Sequence, residues 1–173
     1  MTFNPLVWPF RVQYLTGAIV CAGLLGYALF EQYQMGVEPC PLCIFQRITF
    51  MAMGILFLIG AAHGPQNSGR RVYAVLVSIA AIAGIAVAAR HLYLQSLPPS
   101  EVPDCGPGLG YMLDAFPLAK TLKMVFTGSG ECAEVNWKFL GLAMPGWTLI
   151  CYVALAVGAW WAAIRGRAIE RSP

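Results

Sequence analysis

Charge is what this chain has least of. Only 11% of its 173 residues are Asp, Glu, Lys or Arg, where soluble domains carry roughly a quarter. With 58% of the residues hydrophobic, the chain is too apolar for an ordinary soluble domain, and the excess belongs in lipid. No basic cluster is present either. The formal net charge of +3 is spread along the chain, which leaves nucleic-acid binding without support. Six cysteines are present, yet the hydrophobicity excludes a small secreted scaffold stapled by disulfides. Nothing marks a second domain, so residues 1–173 read as a single integral membrane domain.

Four segments are apolar for about the 17 to 25 residues that cross a bilayer core. They run over about 12–30, 43–62, 72–89 and 147–164. A short acidic loop covers 31–42, and a tight polar turn, HGPQNSGRR, spans His63–Arg71. The long loop, 90–146, is rich in proline. The first span exceeds a typical signal-peptide core and no A-x-A-like site closes it, so a retained helix is expected. The third span is rich in Ala and Gly, which predicts a close-packing helix face. The fold class is therefore an all-α membrane protein: a four-transmembrane-helix bundle with one long loop.

Basic residues set the orientation. Arg11, Arg70, Arg71, Arg165, Arg167 and Arg171 collect on one side. The first loop of the other side has none, and its long loop has only Lys120, Lys123 and Lys138, with Arg90 near the edge. Both termini and the His63–Arg71 turn are thus expected in the cytoplasm. Trp8, Trp160 and Trp161 fall at the inner interface and Trp137 and Trp147 at the outer, as aromatic belts do. This placement puts Cys40, Cys43, Cys105 and Cys132 on the exterior side, where disulfides persist. Cys21 and Cys151 lie within spans and read as small apolar packing residues.

PCPLC sets Cys40 and Cys43 as a Cys-x-x-Cys at the outer start of the second span. Proline on both sides of Cys40 predicts a helix beginning near Leu42 or Cys43. The free N–H groups of a helix N-terminus stabilise a thiolate, which makes Cys43 the more reactive thiol. A static disulfide and half of a metal site are the competing readings. A zinc site wants neighbouring His or further Cys at close spacing, so no metal is expected. Arg47 follows one helical turn after Cys43 on the same face. A guanidinium just inside the bilayer is costly and usually functional, able to steady a thiolate or donate to a carbonyl oxygen. Snorkelling outward to headgroups is its alternative.

Cys105 and Cys132 flank about 26 residues of the long loop, each beside glycine-rich turns that leave sulfur accessible for exchange. A plain loop-stabilising disulfide is the alternative. Between them, PLAKTLKMVF (Pro117–Phe126) predicts a short amphipathic helix with Leu118, Leu122, Val125 and Phe126 as its apolar stripe. His91, at the outer end of the third span, matches the depth of Cys43. It is able to exchange a proton near neutral pH, or simply to cap the span. His63 lies on the opposite side and reads as solvated.

Taken together, the four spans, the PCxLC motif followed by an aromatic and an arginine, the loop cysteines and GSGECAEVNWKFLGLAMPGW (Gly128–Trp147) resemble the bacterial disulfide bond formation protein B family. That resemblance implies a protein dithiol:quinone oxidoreductase of the inner membrane with periplasmic redox cysteines. It implies that a DsbA-like periplasmic thiol oxidase attacks a Cys105–Cys132 disulfide at Cys105. Cys132 then attacks Cys40, Cys43 leaves as a thiolate, and electrons pass to ubiquinone or menaquinone. Arg47 and His91 match family positions near the quinone. Many members carry an acidic residue where this chain has Gln46, which hydrogen-bonds but accepts no proton. Two other readings compete. A vitamin K epoxide reductase-like enzyme is expected to place its Cys-x-x-Cys late in the chain, unlike here. A non-enzymatic metal-binding membrane protein is the other.

Overall fold

The computed structural model describes residues 8–36, 39–66, 68–98, 100–103, 109–128, 130–133, 135 and 138–170. Four helices carry the architecture: α1 (Phe10–Gln34), α2 (Pro41–His63), α3 (Ser68–Gln95) and α7 (Met144–Glu170). Each is long and apolar enough to cross a membrane, α7 over Met144–Arg165. The four form a ring in which α1 meets α2, α2 meets α3, α3 meets α7, and α7 returns to α1. Three short helices, α4 (Leu109–Ala115), α5 (Leu118–Thr127) and α6 (Gly130–Ala133), fill the long connection. A minimal antiparallel hairpin, β1 (Lys138–Phe139) and β2 (Leu142–Ala143), leads into α7.

The helices outrun the apolar stretches that reveal them. α1 continues through Glu31 and Gln32, and α3 through Arg90 and Gln95. Hydropathy marks where side chains meet lipid, whereas the i→i−4 backbone ladder continues past that boundary. α2 also starts earlier than expected. Cys40 is its N-cap residue and Pro41 its first helical residue, where proline's missing N–H costs nothing. At the other end Gly64 adopts φ 57 and ψ 51, and its N–H reaches the Gly60 carbonyl at 2.9 Å, closing the helix before the polar turn.

Large rings set on small residues hold the ring of helices together. Tyr152 of α7 lies against Gly84 of α3, Tyr14 of α1 against Gly60 of α2, and Phe57 of α2 against Gly17 of α1. Ala74, Ala81, Gly84 and Ala88 form the buried side of α3, the small-residue face read from its composition. Ile19, Ile55, Ile79, Ile82 and Val157 point outward and exposed, as lipid-facing residues do. The fold is the all-α four-helix membrane bundle expected of the sequence.

A second apolar cluster caps the Cys40 end, drawing together Leu42, Leu94, Met112 and Val125 with Cys40 and Cys132. The short helix α5 forms where its pattern places it, but its buried face differs from the expected stripe. Thr121 and Val125 are buried, while Leu118 is 65% exposed and Phe126 44%. The Thr121 hydroxyl satisfies its burial by donating to the Met112 carbonyl at 2.9 Å. Arg90 of α3 anchors the C-terminal turn of α5, donating to the Phe126 and Thr127 carbonyls at 2.9 and 2.8 Å. Trp147 donates its indole N–H to the Phe139 carbonyl of the hairpin at 3.0 Å. His63 sits exposed at the opposite end, 3.1 Å from the Tyr73 hydroxyl. Cys105 and Trp137 lie outside the described residues.

Candidate functional site

The N-terminus of α2 builds the site. With Cys40 at the N-cap and Pro41 next, Cys43 occupies the third helical position, within the turn whose backbone N–H groups have no intrahelical acceptor. Leu42 between them is fully buried and pins this turn against the capping cluster. The two sulfurs stand 3.3 Å apart as thiols, and Cys40 donates to Cys43. Cys43 is thereby the acceptor of the pair, the arrangement expected of the more reactive sulfur.

Below the pair, Cys43, Gln46, Arg47 and Phe50 recur at helical spacing along one wall of a cavity of about 460 Å³. Leu24, Leu25 and Ala28 of α1 and Thr148 and Cys151 of α7 face them. A second apolar cavity of about 460 Å³ lies further along the same two helices, between Gly17 and Val20 of α1 and Leu155 and Gly158 of α7. The α1–α7 seam is thus open above and below its middle.

His91 reaches the site from α3. It is 3% exposed, with Nε2 3.9 Å from the Cys40 sulfur and Nδ1 3.2 Å from the Gln46 side-chain nitrogen. The sequence places its depth correctly, but its sulfur neighbour in hydrogen-bonding range is Cys40. Gln46, 5% exposed, is the hub of a polar network. Its side-chain oxygen accepts from the Thr148 hydroxyl at 2.7 Å, and its backbone carbonyl accepts from the Tyr152 hydroxyl at 2.8 Å. One residue thereby ties α2 to α3 and to α7. Such a network is stable only when every member is paired, and Gln46 brings both donor and acceptor.

Arg47 reaches from α2 to the outer part of α1. Its guanidinium donates to the Gln32 side-chain oxygen and, at 3.0 Å, to the Ala28 carbonyl, both on α1, while the side chain lines the cavity. Cys132, 1% exposed, packs in the same cluster as Cys40. Cys21 lies in the main core, whereas Cys151 borders the cavity. Sequence reading missed Thr148 and Tyr152 as partners of Gln46. The available signal was two hydroxyl-bearing residues four apart on one face of an apolar span. Gln32 and Ala28 left no such trace.

The arrangement is a helix-terminal dithiol beside a buried imidazole, opening on an apolar cavity with a guanidinium and an amide in its wall. Comparison with known proteins bears on what carries such a site. The sequence profile of the family described as Disulfide bond formation protein DsbB matches residues 10–162. The chain is 46% identical over 170 residues to disulfide bond formation protein B of Xanthomonas axonopodis pv. citri, covering 98% of this chain and 97% of that one. It is 49% identical over 158 residues to the protein of that name from Methylococcus capsulatus, covering 90% and 96% of the two chains. With the Hahella chejuensis protein of that name it shares 52% over 143 residues, covering 83% and 87%. Agreement at that level, over so much of both partners in each comparison, leaves one conclusion: the chain belongs to the disulfide bond formation protein B family.

Proposed function

We propose that this membrane oxidoreductase is a protein dithiol:quinone oxidoreductase that reoxidises a DsbA-like periplasmic thiol oxidase and delivers the electrons to ubiquinone or menaquinone. The observation that carries the reading is the Cys40–Cys43 pair at the mouth of an apolar cavity, with Cys132 packed in the same cluster. A disulfide between Cys40 and Cys43 is open to attack from Cys132 at Cys40. That attack forms a Cys132–Cys40 bond, breaks Cys40–Cys43 and expels Cys43 as a thiolate at the helix N-terminus, where charge is best tolerated. Cys105 is the position assigned to the partner's attack.

A quinone supplies a two-electron acceptor that takes up two protons on reduction. The donor set suits its head group. The Arg47 guanidinium donates to carbonyl oxygens, the His91 and Gln46 side chains add polar contacts, and the remaining wall is apolar. The open α1–α7 seam suits a prenyl tail. His91 is placed to hold or move a proton at the Cys40 sulfur rather than at Cys43. Gln46 accepts no proton itself and serves to hold the imidazole.

The charge distribution supports an inner-membrane placement with cytoplasmic termini. Arg11 lies against Gly64, and Arg70 sits 5.4 Å from the Phe10 ring. Both are at the end of the bundle opposite Cys40, which the positive-inside tendency turns to the cytoplasm.

The test is turnover. Purified chain mixed with a reduced Cys-x-x-Cys thiol oxidase is expected to reduce a ubiquinone or menaquinone analogue, and a Cys132→Ser variant to accumulate a mixed disulfide ending at Cys105. Absence of quinone reduction with every thiol oxidase partner and both quinones defeats the proposal. Arg47→Ala is expected chiefly to raise the KM for quinone, by about tenfold, the weight of one charged hydrogen bond of about 1.5 kcal/mol. Unchanged quinone kinetics would reduce Arg47 to a tie between α2 and α1.

A further inference from the structure

Local spacing offers the Cys40–Cys43 pair no histidine; the fold supplies one. Cys40 Sγ, Cys43 Sγ and a ring nitrogen of His91 all lie within 4.8 Å of one another. Two edges of that triangle are 3.3 Å, sulfur to sulfur, and 3.9 Å, Cys40 sulfur to Nε2. Zinc bonds of about 2.3 Å to sulfur and about 2.0 Å to nitrogen require tetrahedral edges of about 3.8 Å and about 3.5 Å. Each observed edge is within about half an ångström of that geometry. We infer that the reduced Cys40–Cys43 dithiol and His91 form a binding site for one thiophilic divalent cation of the zinc or cadmium class, and that occupancy holds the pair reduced and blocks turnover.

The surroundings favour this chemistry. Binding converts two thiols to thiolates with release of two protons, and no oxidant or reductant is needed. A histidine that ligates through Nε2 carries its proton on Nδ1 and needs an outer acceptor there. Gln46 is that partner at 3.2 Å. Its amide can present oxygen instead of nitrogen to His91, because the Thr148 hydroxyl at its other end donates or accepts equally well. Three protein ligands leave the fourth tetrahedral position to solvent or a small anion, Glu131 lining the same cavity but outside the group of ligand atoms. The Arg47 charge opposes the cation, but the guanidinium is held by Gln32 and Ala28, and two thiolates outweigh it. Because the same sulfurs are needed to re-form a disulfide, cation and oxidation exclude each other.

This inference rests on the pair cycling through a dithiol, so its test reads metal and redox state separately. The full chain in detergent, reduced with a phosphine, is titrated anaerobically with Cd²⁺ alone, following the ultraviolet absorption of cadmium thiolate. Zn²⁺ alone is measured by competition with a chromogenic chelator. One equivalent per chain is expected, kept in a Cys105→Ser/Cys132→Ser chain and lost in Cys40→Ser. Gln46→Ala is expected to weaken binding by roughly 10- to 100-fold, the usual effect of removing an outer partner of a metal-bound histidine, and His91→Ala by more. No bound cadmium, cadmium that survives Cys40→Ser, or affinity unmoved by His91→Ala overturns the inference. Alkylation of parallel samples reports whether quinone closes the pair. Closure without cadmium binding defeats the metal site alone, and cadmium binding without closure defeats the proposed oxidase cycle alone.

Discussion

Serine in place of Cys43 is expected to abolish quinone reduction, lowering turnover by at least about a thousandfold, equivalent to about 4 kcal/mol of lost barrier reduction. The substitution keeps the size and the place of the side chain at the third position of α2. It removes the ability to form and break a disulfide. Cys40 alone forms no disulfide for Cys132 to attack, so the cycle should stop with the partner joined to Cys105. The measurement is quinone absorbance with a reduced thiol oxidase partner, together with non-reducing electrophoresis of the trapped chain. Normal turnover in this variant would refute the electron path outright.

Gly84→Val is expected to be the most damaging single change outside the cysteines. A Cβ at Gly84 runs into the Tyr152 ring, which is fully buried and stacked on Phe50 at a centroid distance of 4.2 Å. Overpacking of this kind costs about 1–3 kcal/mol. Displacing Tyr152 also removes one of the two hydroxyl donors to the Gln46 carbonyl, the other being Thr49, a loss of about 1 kcal/mol. A lowered unfolding midpoint in detergent, read by tryptophan fluorescence, should accompany weaker quinone reduction, because the ring that packs α7 on α3 also steadies Gln46. Gly158→Ala on the same helix is the control. Nothing lies within 4 Å of its added Cβ, so its midpoint should stay near that of the parent. Equal midpoints for the two variants would show that the Gly84–Tyr152 contact does not organise the bundle.

The two predictions separate what was visible in the chain from what was not. Cys43 was legible because its chemistry is local: proline sets the helix start, and the helix start sets the sulfur among free N–H groups. The face carrying Cys43 and Arg47 was equally legible, since helical register needs only the spacing of residues four apart. Tyr152 was not, because its role depends on a glycine 68 positions earlier on another helix. The short helix α5 shows the same boundary. Its place follows from its own pattern, whereas its buried face follows from Met112, which offers a carbonyl to Thr121.

By itself the sequence determined the membrane class, four spans, the helix-initiating cysteine pair and the family pattern. All of these rest on hydropathy, spacing and backbone preference within a turn or two of chain. Only the tertiary structure decided that His91 stands beside Cys40, that Gln46 joins three helices, that Arg47 turns back onto α1, and that the bundle opens along the α1–α7 seam. Those outcomes depend on which helix faces pack together, and packing is settled by fitting large rings onto small residues far apart in the chain. Among the described residues the scarce charge lies chiefly towards the ends of the bundle, while Arg47 is bonded to a neighbouring helix in the wall of the site.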